Sequence, residues 1–162
     1  MMAQAQFPAA RVLAIIFAVS VATIAGAWAF ELIGGLAPCP LCLKQRWAWY
    51  ALIPLSLALY AFARNQPSGT VVRAGLWLIV LIMIASMAFG IFHSGVEWKW
   101  WPGPDTCGTG GGLSGGLPNF TTARVVRCDE AAIRIFGLSL AGYNALLSAA
   151  MAALAAWAAR KS

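Results

Sequence analysis

The chain has four cysteines, and they fall into two pairs of different spacing. Cys39-Pro40-Leu41-Cys42 has the two-residue gap of thiol–disulfide exchange motifs, whereas Cys107 and Cys128 bracket a glycine-rich stretch. Proline is favoured at the first position of a helix, so Pro40 predicts a helix that starts there with Cys39 as its cap. At a cap, unpaired backbone amides and the positive end of the helix dipole favour a thiolate. Cys42 then lies one turn along, within disulfide reach of Cys39. Arg46 follows Cys42 by four residues and shares its helix face, where a cation stabilises a Cys42 thiolate or a reduced, anionic acceptor. The plainer alternative for Arg46 is a side chain that snorkels at a membrane boundary.

Each of these residues has a competing reading. A Cys39–Cys42 bridge kept only for structure closes a very small loop and adds little stability. A closed zinc site usually takes four ligands, commonly from two close pairs, and no histidine lies between Cys107 and Cys128, so no metal centre is expected. A disulfide across the Cys107–Cys128 loop would contribute roughly 3 kcal/mol in the chain-entropy view. Six glycines between Gly108 and Gly116 argue for a mobile tether, hence for a redox shuttle over a brace. His93, the single histidine, is read equally as a polar boundary residue and as a hydrogen-bond donor or proton relay for a bound acceptor. Glu31 is expected to be an ordinary helix-end carboxylate, and Asn144 an interhelical hydrogen-bonding residue.

The elements that must position these groups follow from composition. Of 162 residues, 61% are hydrophobic and 10% charged, more apolar surface than a soluble domain of this length can hide. A bilayer-spanning helix needs about 20 mostly apolar residues. Segments near 12–33, 47–63, 74–92 and 135–159 qualify, giving one all-α membrane domain with outer loops at about 34–46 and 94–134. The first apolar run exceeds the roughly 7–15 residues of a signal core, so it is expected as a retained anchor. Pro54 is expected to kink the second helix. Trp98, Trp100 and Trp101 beside Lys99 are expected to lie along the membrane surface. Gly137, Ala141 and Ala145 recur at four-residue spacing and are expected to allow close packing of the last helix.

The net charge of +6 forms no patch, which argues against nucleic-acid binding. Arg11, Arg64, Arg73, Arg160 and Lys161 sit in short segments free of acidic residues, which predicts that side, and both termini, to be cytoplasmic. All four cysteines then face the opposite, oxidising side, where disulfides persist.

Pro38-Cys39-Pro40-Leu41-Cys42-Leu43-Lys44-Gln45-Arg46 resembles the signature of the disulfide bond formation protein B (DsbB) family, bacterial inner-membrane thiol oxidases. Cys128-Asp129 followed by Phe136-Gly137-Leu138-Ser139-Leu140-Ala141-Gly142-Tyr143-Asn144 is similar to that family's entry into its last helix. The resemblance implies a four-transmembrane-helix bundle with a long periplasmic loop between helices 3 and 4. It implies a protein-dithiol:quinone oxidoreductase that reoxidises a periplasmic thioredoxin-like (DsbA-like) carrier and reduces ubiquinone or menaquinone, the established way this family keeps the periplasm oxidising. Cys107 would form the mixed disulfide with the carrier, and Cys128 would be its loop partner. Electrons would reach Cys39 and Cys42 through a Cys39–Cys128 link, with Cys42, Arg46 and His93 at the quinone. Two other classes stay open on the residues alone: a non-catalytic four-span scaffold with a disulfide-braced outer loop, and a thiolate-based metal-handling protein.

Overall fold

The computed structural model describes residues 7–66, 69–104 and 127–162. Helices α1 (Phe7–Leu32), α2 (Pro40–Asn65), α3 (Thr70–Glu97) and α4 (Leu140–Lys161) account for most of them, with strands β1 (Arg134–Ile135) and β2 (Leu138–Ser139) just before α4. Three of the helices, α1, α3 and α4, are long and apolar enough to cross a membrane. Helix α2 is 26 residues long, but Lys44, Gln45 and Arg46 at its start and Pro54 within it lower its apolar character.

The most extensive packing joins α3 to α4 and α1 to α2, and contacts of α2 with α3 and of α1 with α4 close the bundle. Leu13 and Ile16 of α1, Trp49 and Leu52 of α2, and Leu76 and Met83 of α3 are sealed from solvent in one cluster that extends to Ala155 and Ala158 of α4. The outer surface is also apolar, with Phe62 58% and Leu81 65% exposed. Helices apolar on both faces suit a lipid surround rather than water.

Small residues set the approach of α3 to α4. A Cβ at Gly90 would lie 3.0 Å from the Ala145 amide nitrogen and 3.1 Å from the Ala141 carbonyl oxygen. Ala141 and Ala145 thus serve the close packing expected of them, whereas Gly137 lies outside the helix. Gly90→Val should lower stability by about 1–3 kcal/mol through overpacking. Thermal unfolding in detergent checks this against Gly26→Ala, a position with nothing within 4 Å of a new Cβ. Equal shifts in the two variants would disprove tight α3–α4 apposition.

A buried polar ladder fixes the register. Trp49 Nε1 donates to Asn144 Oδ1 at 2.7 Å, and Ser148 donates to Ser86 at 2.9 Å, tying α2, α4 and α3 together. Asn144 is therefore the interhelical residue the sequence suggests.

The chain enters α4 differently from the continuous apolar segment 135–159. Arg134 pairs with Ser139 and Ile135 with Leu138 in a two-residue hairpin. Phe136 (φ 49°) and Gly137 (φ 84°) form its turn, in the left-handed conformation such short hairpins require. Ser139 then caps α4 by accepting from the Gly142 amide at 3.2 Å.

The tryptophans after α3 partly fold back on the helix. Trp101 donates to the Phe92 carbonyl at 2.9 Å and stacks on the Phe92 ring, while Trp98 and Trp100 remain 52% and 69% exposed. Cys107 and the Gly108–Gly116 stretch of the expected outer loop lie outside the described residues.

Candidate active site

The start of α2 carries the site. Cys39 is its N-cap, with Pro40 at the first helical position, and the Cys39 sulfur accepts from the Cys42 amide at 3.2 Å. That contact satisfies one of the helix's unpaired amides. One turn brings the two Sγ atoms to 2.7 Å, closer than a van der Waals contact and longer than the ~2.05 Å of a disulfide bond. Both are free thiols here.

Helix α3 supplies the opposite wall. His93, 1% exposed, places Nε2 3.6 Å from Cys39 Sγ and Nδ1 3.1 Å from Gln45 Nε2. If the Gln45 amide donates to Nδ1, the ring proton sits on Nε2 and is donated to the Cys39 sulfur. One turn further, Glu97 brings Oε1 within 3.8 Å of the same Nε2. His93 is thus a buried neighbour of the thiols, not a boundary residue.

Hydrogen bonding sets the electrostatics of Cys39. The Cys42 thiol, and after it the His93 ring and the Cys42 amide, stabilise the anion against the opposing cost of burial, and its pKa is lowered to about 5. The Cys39 thiolate therefore persists below neutral pH and is lost as pH falls towards about 5. Thiolate ultraviolet absorbance of the reduced, metal-free protein should show that midpoint, and His93→Ala should move it upward. A wild-type midpoint near the ordinary ~8.5 of a free thiol would contradict this arrangement.

Arg46 is held from α1. Its Nη1 donates to Glu31 Oε2 at 2.7 Å, and its guanidinium lies 5.8 Å from the centre of the Trp28 ring. Glu31 is therefore the counter-ion of Arg46 rather than an ordinary helix-end carboxylate, and Arg46 is positioned rather than free.

Cys128 comes from the segment leading to β1. It is fully buried in one cluster with Cys39 and Leu41, against which Cys42 and Phe89 pack. It is disulfide-bonded, and its partner lies outside the described residues. On either side of it, Arg127 and Asp129 form a bidentate pair at 3.0 and 2.8 Å, which holds the Asp129 carboxyl below the usual carboxylate range.

These groups meet at a cavity of about 470 Å³ between the helices. Its lining is mainly apolar, and Cys39, Cys42, Gln45, Arg46, His93 and Glu97 stand on its wall. The structure thus gathers Cys39, Cys42, Arg46, His93 and Cys128, while Cys107 lies outside the described residues. Sequence reasoning missed Gln45 and Glu97 and gave Glu31 no part. The usable signals were the i, i+4 spacing of His93 and Glu97 and the short connection between Glu31 and the start of α2.

A family model described as "Disulfide bond formation protein DsbB" matches residues 9–158. An uncharacterized protein of Rickettsia prowazekii (strain Madrid E) is 26% identical over 140 residues, covering 83% of this chain and 78% of that protein. Proteins named Disulfide bond formation protein B from Acidovorax sp. (strain JS42) and Paracidovorax citrulli (strain AAC00-1) are 33% and 32% identical, each over 72% of this chain. The chain spans 63% and 62% of the length of those two relatives. No solved structure gives a significant match.

Proposed function

The chain belongs to the DsbB family of disulfide bond formation proteins, and from that membership we propose that it is a membrane thiol oxidoreductase that reoxidises a periplasmic thioredoxin-like dithiol carrier and passes the electrons to quinone. The observation that carries this reading is the placement of Cys39 and Cys42. Their sulfurs stand 2.7 Å apart on the wall of an apolar cavity, with Cys128 buried against Cys39.

The route begins when a carrier thiolate attacks Cys107: a carrier–Cys107 disulfide forms and the Cys107–Cys128 bond breaks, and the carrier's second thiolate then closes the carrier's own disulfide and releases Cys107, leaving the loop pair reduced. The Cys128 thiolate then attacks Cys39 in a Cys39–Cys42 disulfide. A Cys39–Cys128 bond forms, the Cys39–Cys42 bond breaks, and Cys42 departs with the electron pair. Cys107 next attacks Cys128, which restores the loop disulfide and releases Cys39 as a thiolate. The three hydrogen-bond donors around Cys39 stabilise that leaving group.

The cavity suits a quinone: about 470 Å³, mostly apolar, with a few convergent polar groups. Arg46, His93 and Cys42 would hold it. When bound, a quinone supplies the acceptor for the two electrons and two protons released as Cys39 and Cys42 close their disulfide. The site lies at the end of α1 and the start of α2, at headgroup depth if α2 is the fourth span. The same reading places the protein in the bacterial inner membrane, with both termini cytoplasmic and the cysteine loops periplasmic.

The test is purified protein in detergent with quinone and a reduced thioredoxin-like dithiol protein, followed by quinone absorbance. Dithiol-dependent loss of the quinone band is expected. Unchanged absorbance with folded, oxidised protein would leave a non-catalytic scaffold as the better account.

A further inference from the structure

The Cys39–Cys42 pair has more ligand-forming neighbours than disulfide exchange requires. The two sulfurs and the His93 imidazole lie within 4.8 Å of one another, and they come from two different helices and a cap. Tetrahedral zinc with Zn–S near 2.3 Å and Zn–N near 2.0 Å sets its ligand atoms roughly 3.5–3.8 Å apart. The 3.6 Å from His93 Nε2 to Cys39 Sγ already has that spacing. The two sulfurs need to open from 2.7 Å by about 1 Å, which rotation of a cysteine side chain provides.

A fourth donor is available in Glu97, whose carboxylate lies outside the 4.8 Å cluster of the other three ligand atoms and joins it by side-chain rotation. It is 8% exposed, its Oε1 lies 3.8 Å from His93 Nε2, and its Oε2 is buried without a hydrogen-bond partner. The Ser139 hydroxyl and the Arg134 charge also act on this carboxylate, but a buried oxygen with no hydrogen bond of its own is costly, and a bound cation relieves it. Glu97 lines the same cavity wall as both cysteines. A second contact completes the arrangement. With a metal on Nε2, the His93 proton moves to Nδ1, and rotating the Gln45 amide presents its oxygen there as the acceptor.

We propose that Cys39, Cys42, His93 and Glu97 form a Zn²⁺ site that exists only while the cysteine pair is reduced. Two thiolates, an imidazole and a carboxylate are a borderline-soft set that selects zinc over magnesium or calcium. Binding moves no electrons: each thiol that still carries a proton releases it to solvent as its sulfur joins the metal. A Cys39–Cys42 disulfide has no thiolate to offer, so metal binding and oxidation of the pair exclude one another. The geometry alone motivates this site, whatever the identity of the electron acceptor.

Co²⁺ and Zn²⁺ alone serve as probes on the full-length protein in detergent, reduced with a phosphine that is then removed. One equivalent of Co²⁺ should give the visible bands of tetrahedral cobalt and a sulfur-to-cobalt charge-transfer band, and Zn²⁺ should displace it. Diamide-oxidised protein and Cys39→Ser should give neither band. His93→Ala and Glu97→Gln should each weaken Zn²⁺ binding at least about tenfold. His93→Gln provides the same comparison if the alanine variant does not fold. Wild-type affinity in Cys39→Ser, in either His93 variant or in Glu97→Gln overturns the four-ligand site, as does an octahedral cobalt spectrum or no stoichiometric binding by folded, reduced protein.

Discussion

Cys42→Ser protein, folded and supplied with quinone and reduced carrier, is expected to lose dithiol-dependent quinone reduction by a factor on the order of a thousand or more. The inner pair can close a disulfide only if both sulfurs are present, and a serine hydroxyl can neither form that bond nor leave from it. The same variant should also accumulate an intermediate. Cys39 keeps its cap position and its His93 contact, so it remains a thiolate nucleophile beside buried Cys128. Its attack on the loop disulfide forms Cys39–Cys128 and frees the Cys107 thiol, and with Cys42 gone only the return attack of Cys107 can resolve the new bond. Non-reducing peptide mapping should recover a Cys39–Cys128 link. A wild-type rate would remove Cys42 from the electron route, and recovery of Cys39–Cys107 instead would reassign the loop partner.

The parts of this site that were legible in the sequence are the local ones. The Cys39 cap follows from Pro40, because the conformational preference of proline and the helix's unpaired amides act over a few residues. Asn144 was legible because a lone amide in an apolar helix needs a partner inside the bundle. His93 reads two ways from sequence alone, since its partner Cys39 is 54 residues away and only the packing of α3 on α2 decides between them. Glu97 was hidden for a related reason: it stands at the head of the Trp98–Trp101 stretch and reads as surface, yet it ends α3 facing inward. The hairpin before α4 was missed because its apolar strands are too short to show an alternating pattern. The composition of α2 shows the opposite failure, in which site residues at the helix start dilute the signal of a span.

Arg46→Met is expected to lower kcat/KM for quinone by about 10–100-fold, from the roughly 1.5–3 kcal/mol attached to a hydrogen bond with a charged partner. Two effects contribute and can be separated. The first is structural: Glu31, with its side chain 26% exposed, loses its counter-ion, and α1 is held to the start of α2 less firmly. The second is electrostatic, because Arg46 places the guanidinium on the cavity wall one turn beyond Cys42. Glu31→Gln isolates the first effect. It leaves the cation in place but replaces the ion pair with a neutral contact, so the arginine is less firmly positioned and a smaller loss, near tenfold, is expected. The double variant decides between the two. If Arg46 acts only by pairing with Glu31, removing both charges restores most of the activity lost in Arg46→Met, since no unpaired carboxylate remains. If the cation acts on the acceptor, the double variant stays as slow as Arg46→Met, with the loss mainly in KM. The second outcome is expected, because Trp28 and the Ala27 carbonyl also contact the guanidinium and keep it on the cavity wall. Recovery in the double variant would limit Arg46 to bracing the two helices.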